Sequence, residues 1–103
     1  MYTVILVTVA SKMEGKRIAQ ELLKKKLVAC VNIAGEVESL FWWKGKIDRA
    51  KEYLLVIKSK RPKLQKIIQA VRSLHSYEVP EIICLPIIAG YKPYLNWINE
   101  SIR

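Results

Sequence analysis

The chain has 103 residues, 51% hydrophobic and 26% charged, which predicts one globular domain over residues 1–103 and excludes disorder. No apolar run approaches the roughly 20 residues that span a bilayer, and the apolar start lacks a basic region and a cleavage site, so we expect a cytoplasmic protein with no membrane partner. The net charge of +9 predicts non-specific attraction to polyanions but says nothing about the fold. The lysines are spread along the sequence, which predicts a dispersed coat of solvated charges on the surface.

The first third of the chain predicts a strand, a helix and a second strand. Tyr2–Val9 is a short apolar run rich in β-branched residues, which predicts a strand covered on both faces. Ser11 and Glu14 have the spacing of a helix capping box, and an apolar helical stripe follows them. Val28–Ile33 predicts the second strand, after which Gly35 permits a bulge before the chain resumes its extended course.

The most unusual stretch is an aromatic one. Along an extended strand Phe41 and Trp43 face one side and Trp42 faces the other, so neither face is simply wet. We place the chain reversal within Lys44–Lys51, centred on Asp48–Ala50 with a bulge at Gly45, and the returning strand at Glu52–Lys58. A hairpin this long would extend past so small a domain, and its edges would need a partner chain. The sequence therefore predicts an oligomer.

The second half of the chain predicts a helix, a strand and a last helix. Pro62 suits the first turn of the helix, whose apolar residues recur at helical spacing: Leu64, Ile67, Ile68, Val71 and Leu74. Glu81–Ala89 predicts a strand, in which Pro86 argues for a sheet edge or a bulge, and Pro93 opens the C-terminal helix. The order β-α-β-β-α-β predicts an α+β, ferredoxin-like sandwich: a four-stranded antiparallel sheet with helices on one face, a long hairpin and an added helix.

The motifs of catalysis are missing, so we expect no enzyme. The sequence has no recognisable nucleophile–base pair, no glycine-rich phosphate loop, no HExxH and no paired CxxC. Cys30 and Cys84 lie in apolar runs, which is typical of buried, reduced thiols.

One short segment collects potential metal ligands: His75, Glu78 and Glu81, with Tyr77 between them. Imidazole together with carboxylate oxygens suits Zn²⁺ or Cu²⁺. The same residues also fit a structural alternative, in which a loop histidine and surface acids simply end a helix.

The predicted topology is shared with RNA-recognition modules, which stack bases on aromatic residues of the first and third strands. Here those strands offer Tyr2 and Tyr53, and the bulky aromatic residues lie on the second strand instead. We therefore do not expect nucleic acid as a partner.

Five sequence blocks run in order across almost the whole chain: Ala29–Ile33, Ser39–Ile47, His75–Ile82, Leu85–Ile87 and Tyr94–Ile98. Together they resemble the CutA family of divalent-cation tolerance proteins. The resemblance implies a cytoplasmic, non-catalytic homotrimer of ferredoxin-like subunits, similar in build to the PII signalling proteins. It also implies an association with tolerance of copper and other divalent ions.

The resemblance and the ligand segment together give candidate sites. The candidate metal ligands are His75, Glu78 and Cys30, for weak binding of copper or another divalent ion with no cofactor required. The candidates for the trimer interface or cleft are Phe41, Trp42, Trp43, Lys46, Tyr77 and Trp97. The alternative function is that of a PII-like signalling module, which would bind a small ligand or a partner protein at clefts between subunits.

Two positions depart from the family pattern. Ser76 stands where the family usually has proline, which predicts a looser loop around His75. Val7 stands where some members carry a cysteine that has been proposed as a copper ligand, which leaves His75 as the better ligand candidate.

Overall fold

The computed structural model describes residues 1–102, which form a four-stranded sheet and three α-helices. In chain order the elements are β1 (Tyr2–Val9), α1 (Lys12–Lys24), β2 (Cys30–Trp43), β3 (Lys46–Lys60), a 3₁₀ turn (Arg61–Lys63), α2 (Leu64–Leu74), β4 (Ile82–Pro86) and α3 (Lys92–Ser101). The strand order is β2-β3-β1-β4, and all neighbouring strands are antiparallel. This arrangement confirms the predicted sandwich with its added C-terminal helix. Among the described residues, no helix is both long enough and apolar enough to cross a membrane.

The core lies between α1, α2 and one face of the sheet, which we call the covered face. Alternate side chains of a strand point to opposite faces, and on β1 every second residue is buried. The main buried side chains of this core are Ile5, Val7, Val9, Ile18, Leu22, Leu55, Ile57, Ile67 and Val71. Val7, the position of the proposed copper-binding cysteine in relatives, is therefore shut off from solvent.

The opposite face of the sheet is also apolar, but α1 and α2 do not cover it. Its apolar members lie on three adjacent strands, with Thr8 and Lys58 completing the paired rows, and we call them the open face: Val4, Leu6, Leu54, Val56, Ile83 and Leu85. These side chains are half-buried on β1 and β3 and exposed on β4. The prediction that β1 is covered on both faces is thus wrong for a single chain, because the two core helices lie on one side.

The hairpin of β2 and β3 makes the molecule elongated, with extents of 44 × 26 × 23 Å. The pairing shifts register between Ala34 and Val37, which confirms the bulge at Gly35. The reversal, however, is at Lys44 and Gly45, whose φ angles are 51° and 77°. Two consecutive positive φ angles give the two-residue turn that matches strand twist.

The reversal therefore lies within the predicted Lys44–Lys51, but its predicted centre at Asp48–Ala50 is wrong, since Gly45 belongs to the turn itself and β3 begins at Lys46 rather than at Glu52. Strand β4 is also shorter than the predicted Glu81–Ala89. It ends at Pro86, which has no N–H to donate. Its position at the edge of the sheet is confirmed.

Helix α1 is held close to the sheet at its first turn. The Ser11 hydroxyl accepts the Glu14 N–H at 3.1 Å, as expected of an N-cap. Gly15 is buried, and a Cβ at this position would lie 3.1 Å from Leu55 Cδ2 and 3.2 Å from Val9 Cγ2. The glycine therefore permits an approach that a side chain would obstruct.

Helix α3 lies over one end of the side opposite the core helices. It buries Ile98 and Ile102 against Ala29 and Tyr2. In addition, Lys60 Nζ donates to Asn99 Oδ1 at 2.7 Å. The rest of the open face is left without this cover.

Candidate functional site

His75 follows the last residue of α2, and its ring is held by two hydrogen bonds. Nε2 lies 2.7 Å from the Thr8 carbonyl oxygen, which can only accept, so Nε2 carries the proton. Nδ1 accepts the Tyr77 N–H at 3.0 Å. The side chain is fully buried. In this neutral tautomer both ring nitrogens are satisfied, and neither offers a free lone pair to a metal.

Glu14 of α1 anchors the same loop through Ser76. Its Oε2 accepts the Ser76 N–H at 2.8 Å, and its Oε1 accepts the Ser76 hydroxyl at 3.0 Å. The same Oε2 lies 3.4 Å from His75 Nδ1. A proline could donate neither bond, so Ser76 gives the loop a tie to α1 that proline would lack, and the looser loop stays a prediction. The Glu14 carboxylate, which the sequence assigns to a capping box, therefore bonds to Ser76.

Tyr77 ties the loop to β3. Its hydroxyl donates to Glu52 Oε2 at 2.7 Å, and Glu52 is only 7% exposed. Burial, and then the hydrogen bond to Glu52, raise the pKa of Tyr77 to about 12, so the hydroxyl stays a donor at neutral pH. We call Glu14, Glu52, His75, Ser76 and Tyr77 the loop network.

The sequence contained little signal for this network. Glu14 and Ser76 are 62 residues apart, and Glu52 and Tyr77 are 25 apart. Only the acidic residue Glu52, directly before the apolar run 53–57 of β3, could have indicated that a polar partner was needed. His75 and Tyr77 lie in one polar cluster, but its carboxylates are Glu14 and Glu52 rather than the predicted Glu78 and Glu81.

The other predicted metal ligands lie apart from His75. Cys30 is the register partner of Lys58 on β3, and Lys58 in turn pairs with Val4 on β1. Val4 and Thr8, the partner of His75, are four residues apart, or about 13 Å along the strand. Within residues 1–102, no group of three or more His, Cys, Asp or Glu side chains is arranged to hold a metal ion. One chain thus does not bring His75, Glu78 and Cys30 together.

Glu78 lies on the outside of the loop. It borders an open groove of about 300 Å³, whose walls are Ile68, Arg72, Glu78, Val79, Pro80 and Ile82. Glu81 is exposed beside this groove in the chain.

Cys30 lies at the start of β2 with polar neighbours. Its Sγ is 3.9 Å from Asn32 Oδ1, which also accepts a hydrogen bond from Lys58 Nζ. Burial and then the nearby Cys30 raise the pKa of Tyr94 on α3. Cys84 lies on β4, packed partly against the core, and both cysteines are free thiols.

The aromatic residues predicted for an interface are exposed in a single chain. Trp42 is 74% and Trp43 58% exposed, and Phe41 is 39% exposed. The Lys44 ammonium lies 5.8 Å from the centre of the Trp43 ring, a cation–π distance. Lys46 is the register partner of Trp43. On α3 the half-exposed Trp97 packs against Tyr94, with ring centres 5.4 Å apart.

Residues 3–101 match the family model of the CutA1 divalent ion tolerance protein. The chain belongs to this family. The divalent-cation tolerance protein CutA of Archaeoglobus fulgidus is 42% identical to it over 103 residues, which cover 100% of both chains. The chloroplastic protein CutA 1 of Oryza sativa is 44% identical over 100 residues, or 97% of this chain, which spans 56% of that relative's length.

Solved structures agree with the family and the fold. The A. fulgidus protein, described as a periplasmic divalent cation tolerance protein CutA, superimposes with a TM-score of 0.97 over 100% of both chains at 42% identity. The Thermus thermophilus protein Cut A1 gives 0.98 over 100% of both chains at 38% identity. The predicted family and ferredoxin-like fold are confirmed. The protein is a divalent-cation tolerance protein of a non-catalytic family.

Proposed function

We propose that this divalent-cation tolerance protein works as a homotrimer in which the open faces of three sheets pack together. The observation that carries the proposal is the open face itself, six apolar side chains on three adjacent strands that the core helices leave uncovered. Monomeric proteins rarely expose a contiguous apolar surface of this kind. Two further copies of the chain would cover it without any other partner.

The hairpin supports the same assembly. β2 is an edge strand, so a row of its backbone groups has no partner within the sheet. Its tip presents Phe41 and Trp43 on one side and Trp42 on the other. A neighbouring subunit would cover both sides, and Lys46, Tyr77 and Trp97 complete the proposed interface or cleft.

We place weak binding of copper or another divalent ion at a cleft between subunits. A single chain assembles no three-ligand group among its described residues, so two chains would have to contribute ligands. Glu78 and Cys30 are the available candidates. His75 is a candidate only through Nδ1, and it would first have to give up the Tyr77 N–H.

The proposed compartment is the cytoplasm. Two free cysteines, Cys30 and Cys84, suit a reducing environment. The relatives do not decide the matter, because they are described as chloroplastic in one case and periplasmic in another.

The trimer is tested by light scattering on the wild type, Leu6→Asp and a matched control, Leu23→Asp. Leu6 belongs to the open face, whereas Leu23 is an exposed residue of α1 on the other side of the sheet. We expect the wild type and the control to have the mass of three chains, and Leu6→Asp to have the mass of one chain, 11.9 kDa. Circular dichroism checks that each variant is folded. A wild-type protein with the mass of a single chain would contradict the proposed trimer.

The metal proposal is tested by calorimetric titration of Cu²⁺ and Zn²⁺ into the wild type, Cys30→Ser, Glu78→Gln and His75→Ala. We expect reduced heats for the first two variants. Equal heats in all four proteins would exclude these ligands. A thermal-shift panel that includes nucleotides tests the PII-like alternative, because a ligand that binds the folded state stabilises it by RT ln(1 + [L]/Kd).

A further inference from the structure

The positive charge of the chain is concentrated on its core helices. Residues 11–27 and 61–75 contain α1, α2 and their flanking turns, and they hold ten of the 18 basic residues but only two of the nine acidic ones. This region therefore carries +8 of the net +9. The fold brings these two segments to one side of the sheet, so the excess of basic over acidic residues is collected there, although lysines also lie elsewhere, as at Lys46, Lys51 and Lys92.

The charges of this basic face are available to a partner. Nine of its ten basic residues are exposed and Lys63 is half-buried: Lys12, Lys16, Arg17, Lys24, Lys25, Lys26, Arg61, Lys66 and Arg72 are the exposed ones. Within the described part of the chain, a single ion pair, Lys25 with Glu21 at 3.5 Å, neutralises a lysine or arginine here. The other acid, Glu14, is engaged by Ser76.

The basic face also has a shallow groove between the end of α1 and α2. It measures about 450 Å³ and is lined by Lys25, Leu27, Lys66, Gln69, Ala70 and Ser73. Ammonium and amide groups are donors that bind phosphate oxygens. We propose that the basic face binds the phosphodiester backbone of double-stranded nucleic acid, with Lys25 and Lys66 at its centre.

The composition of the face favours a duplex over other polyanions. Residues 11–27 and 61–75 contain no Phe, Trp or Tyr, so unpaired bases would find no stacking platform. Their exposed large apolar side chains are Met13 and Leu23, which offer little to insert into a membrane interface. A charged face without such residues suits contacts with a phosphate backbone that do not read sequence.

This inference is independent of the proposed trimer. The basic face and the open face lie on opposite sides of the sheet, so assembly through the open face would leave the helices outside. The earlier expectation against nucleic acid concerned base stacking on the strands, and the basic face uses neither the strands nor the bases.

The test is fluorescence anisotropy of a labelled DNA duplex of about 24 base pairs, titrated between about 50 and 200 mM salt. The variant Lys25→Glu/Lys66→Glu alters the basic face, and the matched control Lys51→Glu/Lys92→Glu makes the same charge change on β3 and α3. We expect the wild type to bind at low salt, with affinity falling steeply as salt rises. The first variant should bind at least about tenfold more weakly, with a salt slope smaller by about 2.

The control should bind within about threefold of the wild type. Equal losses of affinity in the two double variants would show an effect of net charge alone and would overturn the proposal. A wild-type protein that does not bind the duplex at the lowest salt would also overturn it. Tighter binding to oligo-dT than to the duplex would overturn it in favour of single strands. Binding to phosphatidylserine vesicles without binding to the duplex would overturn it in favour of a membrane. Light scattering and circular dichroism confirm that both variants keep the wild-type assembly and fold.

Discussion

The two faces of the sheet are made of similar residues and have different surroundings. On β1, Ile5 and Val7 are fully buried beneath the helices, whereas Leu6 between them is half-exposed. The difference comes from the placement of α1 and α2, not from composition. A strand that is apolar on both faces therefore indicates that both will be covered, but it does not indicate whether the cover comes from the same chain.

The largest effect is expected on the covered face. Ile5→Ala removes a fully buried side chain and leaves a cavity in the core. We expect the free energy of unfolding to fall by about 2–5 kcal/mol, measured by urea denaturation. A loss below about 1 kcal/mol would mean that the covered face is not close-packed.

The open face should respond differently because its cover would come from other chains. Leu6→Ala should lower the free energy of unfolding by about 2 kcal/mol when the protein is concentrated and assembled, and by less after dilution. Urea denaturation at two protein concentrations measures both values. A loss that does not depend on concentration would erase the distinction between the two faces.

The loop network joins the end of β1 to the extended part of β3, and its effects should be intermediate. Tyr77→Phe removes the hydrogen bond to Glu52 and leaves a mostly buried carboxylate without this partner. We expect a loss of about 1–3 kcal/mol at neutral pH. Tyr91→Phe, at an exposed tyrosine before α3, is the matched control and should change little.

Burial of Tyr77, together with its hydrogen bond to Glu52, gives the stability an alkaline pH dependence. The pKa of Tyr77 is about 12 in the folded chain and near 10 when unfolded, so the folded state holds this proton more tightly. Its contribution to stability is complete below about pH 10 and is lost as the pH rises towards 12. Urea denaturation between about pH 8 and pH 11 should show a smaller decline for Tyr77→Phe than for the wild type. Parallel declines would contradict the assignment.

The smallest effect is expected at Ser76. Ser76→Ala removes the hydroxyl bond to Glu14 but keeps the backbone N–H bond. The free energy of unfolding should fall by about 0.5–1.5 kcal/mol. An unchanged midpoint in urea would mean that the backbone bond alone holds the loop.

Most of the fold could be predicted because its signals are local. The helical spacing of α2, the cap at Ser11 and the bulge at Gly35 each depend on a few neighbouring residues. The centre of the hairpin turn was misplaced because Lys44 adopts a left-handed conformation that is unusual for lysine, whereas the aspartate at position 48 is a more usual turn residue.

The candidate site was harder to predict because it depends on contacts between distant parts of the chain. His75 was recognised as a polar residue of interest, but its state depends on Thr8 and Tyr77, which occupy both ring nitrogens. The spacing of residues in a sequence does not show which ring nitrogens of a histidine are engaged in hydrogen bonds. The charge of the basic face, by contrast, could have been found from the sequence, because the predicted topology already put both helices on one face of the sheet.

Gly15 links the packing of α1 to the loop network. The absence of a side chain lets the first turn of α1 come close to Val9 and Leu55. Glu14, the preceding residue, is thereby held where its carboxylate meets Ser76. At this position the distance between the helical layer and the sheet, rather than helix propensity, selects the residue.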